Sequence, residues 1–386
     1  MVTILCSADW QLGMRRRFFG PDAQARFTQA RLDVIERLAV LARERSADAL
    51  VVAGDVFDAN QVERHVVLRA AEALRDVGCR VLLLPGNHDS LEPGNVWNSA
   101  EWRRAVPPNV TVLEDAPVVV GAGADAVEVV GAPWRTRRPA TDPLGNLLSR
   151  LRPGPRRLIV GHGQVDAVAP ELGLPPIELA GLERALSDER AELFVLGDRH
   201  STTEVGSSGR IWYPGTPEVT DTDEVDPGNV LVATFAAAGV AGVAGACGIP
   251  GDVDVESVHI GRWHMLERAV ELDGPAALDE LEAWLGALPD KTRTYLRLGA
   301  TGSLDVADSM RLELMLDSLG EVLGGITRWK RHWDIRPLPD DAALDALGLT
   351  GPAKATLLDL QAAARTGDHM AGHALTLLHR LALGAA

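Results

Sequence analysis

The chain is poor in the residues that would tie it to an export route, a membrane or an extended anionic surface. Its 386 residues include three cysteines, Cys6, Cys79 and Cys247. An odd number without paired spacing excludes a disulfide framework. Two of the three lie in predicted strands, so buried free thiols of a cytoplasmic protein are expected. The N-terminus, Met1-Val-Thr-Ile-Leu-Cys6, has no basic region leading into a longer apolar core, and no signal peptide is expected. The uncharged stretch Asn229 to Gly251 comes nearest to a membrane span in length. It is mostly Ala and Gly and opens with Val230-Leu-Val-Ala-Thr-Phe235, so the expectation is a strand followed by a glycine-rich loop, with no membrane association. Positive charge is also scarce, with 38 Lys and Arg against 54 Asp and Glu and a net charge of −16. That argues against a protein that coats nucleic acid nonspecifically, which works by neutralising phosphates. A nuclease remains open, because bound divalent ions bring their own positive charge. No internal repeat is found.

What the chain does contain is one pattern written five times, an apolar run that ends in Gly or Ala and then in a side chain able to bind metal. Residues 2 to 8 end at Asp9 and Gln11, and Ala49 to Ala53 deliver Gly54-Asp55-Val-Phe-Asp58. The run beginning at Val81 delivers Pro85-Gly-Asn-His-Asp89. Arg157 to Val160 deliver Gly161-His162, and Glu192 to Leu196 deliver Gly197-Asp198-Arg-His200. Short apolar runs closed by turn signals fit buried parallel strands, and ligands of open α/β sheets sit at the carboxyl ends of such strands. Helices are predicted between them, from about Asp22 on the spacing of Phe27, Ala30, Val34, Leu38 and Leu41, and from Val62 to Val77. Residues 109 to 131 read as antiparallel hairpins. Strands at Thr202 to Val205, Ile211 to Tyr213 and Val230 to Phe235 complete an α/β fold of two stacked mixed sheets flanked by helices. The expected division is residues 1–235 as the main domain, 236–254 as a Gly/Ala-rich linker, 255–338 as a small α/β domain and 339–386 as a helical segment.

The five strand ends together carry Asp9, Gln11, Asp55, Asn87, His88, His162, Asp198 and His200. This oxygen and nitrogen set has the size needed for two divalent ions. Such a pair activates a hydroxide at neutral pH and stabilises both oxygens of an in-line displacement at phosphorus. Phosphodiester hydrolysis is the expected chemistry.

Asp9-x-Gln11, Gly54-Asp55-x-x-Asp58, Gly86-Asn87-His88-Asp89, Gly161-His162 and Gly197-Asp198-x-His200 resemble the five ordered motifs of the calcineurin-like metallophosphoesterases. Ser7-Ala-Asp-Trp-Gln-Leu-Gly13, Gly54-Asp-Val-Phe-Asp58 and Tyr213-Pro-Gly-Thr-Pro217 resemble the SbcD branch, the nuclease subunits of bacterial SbcC-SbcD DNA repair complexes. The resemblance covers residues 1 to 235 and implies one ion on Asp9, Gln11, Asp55 and His200, and another on Asp55, Asn87, His162 and Asp198. It also implies that His88 acts at the scissile phosphate with Asp89 orienting it. The second domain would cap the site. The C-terminal helices would bind the coiled-coil base of an SbcC-like ATPase, the protein would form a homodimer, and the substrate would be DNA. Histidine is usual in the family at positions 11 and 198. A neutral amide at Gln11 is a weaker ligand, and the added carboxylate of Asp198 favours Mn²⁺ or Mg²⁺, Mn²⁺ first. Two other readings stay open on the same residues: a phosphoesterase for small molecules or phosphoproteins, and an attenuated scaffold protein.

Three basic groups are candidates for substrate contact. Arg15, Arg16 and Arg17 follow the first metal-binding loop, Arg135, Arg137 and Arg138 form a second cluster, and Arg328-Trp-Lys-Arg-His-Trp333 interleaves cations with aromatics in a way that suits an unpaired strand. Leu375, Leu378 and Leu381 on the last helix face either the body of the protein or a partner.

Overall fold

The computed structural model describes residues 1–168, 174–237, 253–338, 348–366 and 368–384. They form two units. The first comprises Met1–Arg16 with Gln24–Trp263, and the second comprises Arg17–Ala23 with His264–Ala386.

In the first unit, strands β1 (Val2–Ser7), β2 (Ala49–Ala53), β3 (Arg80–Leu84), β4 (Val110–Val112), β11 (Asn229–Phe235) and β12 (Val253–His259) form one sheet in the order β12-β11-β1-β2-β3-β4. Strands β5 (Val118–Val120), β6 (Val127–Gly131), β7 (Arg157–His162), β8 (Leu193–Gly197), β9 (Thr203–Glu204) and β10 (Ile211–Tyr213) form the other, in the order β5-β6-β7-β8-β10-β9. Both have a parallel centre; the first is antiparallel only on its β11–β12 side, and the second at both edges. The alternation of strand side chains explains why the central runs are apolar throughout. Ile4, Cys6, Val51 and Leu82 point into a dry layer shared with Val129, Leu158, Val160 and Val195 of the second sheet. Leu5, Leu50, Val52 and Leu83 point the other way, under helices α1 (Pro21–Glu44) and α2 (Arg64–Arg75). Helices α4 (Pro143–Leu148) and α5 (Leu179–Ser187) cover the outer face of the second sheet through Leu144, Leu148, Leu182 and Ala185. A short helix, α3 (Ala100–Ala105), precedes β4. Cys6 is buried and Cys79 half-buried, both free thiols, whereas Cys247 lies outside the described residues.

Three expectations need correction. Residues 109–131 contain a single hairpin, β5–β6, because Val110–Val112 runs parallel to β3. The Asn109 side chain fixes that course by donating to the carbonyls of Leu74 and Val77 at the end of α2. The first unit also continues past residue 255 to Trp263, since Val253–His259 pairs along its whole length with β11. Most of the expected linker, residues 238–252, lies outside the described residues. Finally, residues 17–23 group with the second unit, where Phe18 stacks on Tyr295 with ring centroids 4.0 Å apart.

The second unit is a three-stranded parallel sheet, β13 (His264–Asp273), β14 (Thr294–Asp305) and β15 (Gly325–Leu338) in that order, joined by α6 (Pro275–Gly286) and α7 (Val306–Val322). Leu278, Leu281, Leu296, Leu298, Leu312 and Leu316 form its core. Helices α8 (Gly351–Arg365) and α9 (His369–Gly384) belong to this unit, Leu357 and Leu375 burying with Val306 and Leu378 packing beside them, while Leu381 is exposed. Residues 339–347 of the expected helical segment lie outside the described residues. Among the described residues no helix is long and apolar enough to cross a membrane.

Candidate metal centre

The ends of β1, β2, β3, β7 and β8 meet. The loops after β1 and β2 are bound to each other along their backbones, Asp9 N donating to Gly54 O (3.1 Å), Gln11 N to Asp55 O (2.8 Å) and Leu12 N to Val56 O (2.9 Å). This pairing holds Asp9, Gln11 and Asp55 at φ values of 53°, 44° and 52°, and Asp198 stands at 85°. Left-handed backbone at residues with a Cβ costs on the order of 1 to 3 kcal/mol each and persists where the surroundings over-determine it, commonly at functional sites. Close approach also demands glycine. A Cβ on Gly197 would lie 1.8 Å from the Ala53 carbonyl oxygen and 2.6 Å from His162 Nδ1.

The side chains that converge are nearly all acceptors. Asp9, Asp55 and His162 are buried and each offers a ligand atom, all within 4.8 Å of one another. His162 Nδ1 lies 3.0 Å from the Ala53 carbonyl, which fixes a proton on that nitrogen and turns Nε2 inward. Nε2 lies 3.5 Å from Asp55 Oδ1 and 3.7 Å from Asp198 Oδ1. The Asn87 amide fills the gap between them in either of two ways. With NH₂ inward it donates to both oxygens of Asp55 (3.1 and 3.2 Å) and to His162 Nε2 (2.7 Å). With its oxygen inward it adds one more lone pair to the set. Lone pairs gathered without hydrogens among them are what a divalent cation satisfies.

The other side of the centre is held by an amide as well. Gln11 Nε2 lies 3.0 Å from His200 Nε2, and His200 Nδ1 faces Glu224 Oε1 (2.9 Å) and Thr220 Oγ1 (2.8 Å). The Glu224 carboxylate places the imidazole proton on Nδ1, the usual arrangement behind a ligating histidine. Gln11 Oε1 is buried and has no hydrogen-bond partner among the described residues. An orphaned buried acceptor of this kind is costly, and an ion beside Asp9 would satisfy it. On both counts, the orphaned oxygen and the converging acceptors, the residues fit a divalent metal. Asp9 and Asp198 are coupled across the two sheets, Asp198 N donating to Asp9 Oδ1 and Oδ2 at 3.0 and 3.1 Å.

His88 reaches the same place from β3, with a different support from the one expected. Its backbone N donates to Asp55 Oδ1 (2.9 Å), its Nδ1 faces the Asp58 carbonyl at 2.7 Å, and its Nε2 lies 3.9 Å from Asp55 Oδ2. The Asp58 carbonyl therefore orients the ring. Asp89 turns inward, where its carboxylate accepts from Gly86 N (2.7 Å) and Phe57 N (3.1 Å) and ties the loop after β3 to the loop after β2. Its expected contact with His88 is replaced because two buried N–H groups claim both oxygens.

Of the candidate substrate arginines, Arg15 pairs with Glu63, Arg16 with Asp221 and Arg135 with Asp115, while Arg17, Arg137 and Arg138 are exposed without an acidic partner among the described residues. Some supporting residues gave little sequence signal. Thr220 and Glu224 lie on a loop beyond any strand end. Arg31 had a signal, since it interrupts the apolar stripe of α1 between Phe27 and Ile35. Buried there, it donates to the carbonyls of Trp10 (2.9 Å), Glu218 (3.1 Å) and Val219 (3.2 Å), fastening the first metal-binding loop to the loop that carries Thr220. Burial lowers its pKa to about 10, against the pull of Glu218, so it stays cationic.

The crowded carboxylates set a pH dependence. Burial raises Asp9, Asp89 and Asp198 above the usual carboxylate range. Burial pushes His162 down, but the charges of Asp55, Asp198 and Asp9 outweigh it and lift the imidazole to about 9. Each folded-state pKa lies above its unfolded value, so each contribution to stability is complete below the unfolded value and is lost as pH rises through the folded one. A metal ion replaces those protons. Without metal the centre should therefore weaken progressively up to about pH 9. The difference between Tm in Mn²⁺ and Tm in EDTA should widen between about pH 6 and about pH 9. A difference that stays constant or narrows across that range would contradict this account.

Known proteins provide three comparisons. Residues 2–215 match the family described as calcineurin-like phosphoesterase. The SbcD subunit of the nuclease SbcCD of Escherichia coli, in strain K12 and in O157:H7, is 37% identical over 91 residues, which is 23% of this chain and 21% of that protein. The chain thus matches about a fifth of the length of these curated relatives. A crystal structure of TT1561 from Thermus thermophilus aligns with 56% of this chain and 89% of its own at 13% identity and a TM-score of 0.36.

Proposed function

The chain belongs to the calcineurin-like phosphoesterase family, and from that premise we propose that it is a DNA nuclease of SbcD type. The observation that carries the metal-dependent chemistry is the convergence of Asp9, Asp55 and His162. One ion would be held by Asp9, Gln11, Asp55 and His200, and the other by Asp55, Asn87, His162 and Asp198. When bound, the pair, Mn²⁺ ahead of Mg²⁺, supplies an activated hydroxide and charge neutralisation at phosphorus. Asp55 belongs to both sets and would be shared by the two ions. His88, fixed through Nδ1, presents Nε2 to the leaving oxygen. Glu224 and Thr220 hold His200 in its ligating tautomer, and Asp89 keeps the loops after β2 and β3 in register.

DNA as substrate is supported by the partial match to SbcD and by Arg17, Arg137 and Arg138, which have no acidic partner among the described residues. An SbcC-like coiled-coil ATPase is the proposed partner. Leu358, Met370, Leu377 and Leu381, exposed on α8 and α9, support docking there. The proposal extends to a homodimer acting in the cytoplasm.

The test is hydrolysis of linear duplex DNA, single-stranded DNA and a small chromogenic phosphodiester in Mn²⁺, each repeated in excess EDTA. DNA cleavage that EDTA abolishes is the expected result. Hydrolysis of the small diester alone would overturn the DNA reading. No activity on any of them, with or without the ATPase, would favour a scaffold protein.

A further inference from the structure

The sheet of the second unit loses register once. Leu298 lies opposite Arg328, but Ala300 lies opposite Trp333, so Gly299 alone spans the stretch Trp329 to His332. Because β15 is an outer strand, with no further strand paired to it among the described residues, the surplus residues bulge from that edge. Gly299 is what admits the bulge: a Cβ there would stand 2.9 Å from His332 Cβ. Lys330, Arg331 and His332 are exposed and Trp329 is half-exposed. The Trp329 and His332 rings lie 3.7 Å apart, centroid to centroid, so the indole is already held as a platform.

The charges around the bulge differ from those on it. Arg297 pairs with Glu267, Arg311 with Asp279 and Glu282, and Arg328 with Glu313. Lys330 and Arg331 meet no acid among the described residues, in a chain whose net charge is −16. Two adjacent unneutralised cations beside a braced aromatic ring combine the two elements of single-strand recognition, phosphate attraction and base stacking. A duplex would offer its phosphates but keep its bases stacked inside.

We propose that the Trp329–His332 bulge binds single-stranded nucleic acid, with backbone phosphates on Lys330 and Arg331 and an unstacked base on Trp329. This rests on the DNA reading above and adds a contact outside the metal centre.

The experiment is fluorescence anisotropy of labelled oligothymidylate and of a duplex of equal length, with the full chain in EDTA so that nothing is cleaved. The double variant Lys330→Ala/Arg331→Ala should bind the single strand roughly tenfold more weakly. Its dependence of log K on log salt should be shallower by about 1.4, the value for two phosphates on a single strand. Trp329→Ala should weaken single-strand binding about fivefold or more while leaving the salt slope in place, and should affect the duplex less. Arg311→Ala, which removes an ion-paired arginine of the same unit, should bind as wild type does. Every variant should hydrolyse the small diester in Mn²⁺ at the wild-type rate. If wild type binds and cleaves DNA while all variants bind alike, the bulge assignment is overturned and the nuclease reading stands. If wild type hydrolyses the small diester but binds no DNA, both fall.

Discussion

Asp55→Ala is expected to lower kcat/KM for any phosphodiester by about a thousandfold or more, and to abolish the rise in Tm that Mn²⁺ produces. In the proposed assignment this carboxylate belongs to both ligand sets, so its loss would remove several kcal/mol of charge stabilisation at once, at a factor of ten for each 1.36 kcal/mol. The effect on folding should be small by comparison. Asp55 is almost fully buried among other acceptors, and its clearest protein donor is the His88 N–H, a bond worth about 1 kcal/mol net. Relief of crowding with Asp9 and Asp198 offsets part of that and of the lost attraction to His162. Calorimetry in EDTA should therefore find the variant close to wild type. If Asp55→Ala keeps its Mn²⁺-induced Tm rise and its activity, the ions bind elsewhere and the assignment of the centre is wrong.

His88→Ala should produce a different pattern, a fall in kcat of about a hundredfold to ten-thousandfold with the Mn²⁺-induced Tm rise retained. Its Nδ1 faces the Asp58 carbonyl and the residue belongs to neither proposed ligand set, so the ions should not depend on its ring. A group that protonates the leaving oxygen matters most when that oxygen leaves badly. The loss should be largest on DNA, whose leaving group is an alkoxide, and smaller on a nitrophenyl diester, whose leaving group needs no proton. Equal losses on both substrates would assign His88 to binding of the phosphate alone. A loss of metal binding would make it a ligand.

How much of this was legible follows from what each residue type announces. Asp9, Asp55, Asn87, His162, Asp198 and His200 were visible because each ends an apolar run, and a buried parallel strand has only one place to put a polar side chain. The two stacked mixed sheets followed from the same runs, whereas the strand order within each did not. The supports were hidden because they use generic groups. The Asp58 carbonyl that orients His88 belongs to the backbone, and Glu224 lies on a loop with no periodic pattern. Asp89 differs from what the resemblance implied, an orienting contact with His88, because its oxygens are claimed by the N–H groups of Gly86 and Phe57. The first unit's extension to Trp263 was missed because β12, half-exposed and polar at Asp254 and Glu256, carries the signature of an edge rather than of a core.

The hydrogen bonds from Asp198 to Asp9 have a mechanical meaning. The candidate ligands come from two sheets that share no backbone ladder and are separated by the apolar layer of Cys6, Val51, Val160 and Val195. The centre is thus a caliper whose jaws are the two sheets, and its opening is set by how thickly that dry layer packs, about 10 Å between sheet planes. The spacing of the candidate ligands is in this sense a property of the hydrophobic core. A methyl group gained or lost in the interior, far from any phosphate, acts on the same dimension that the chemistry depends on.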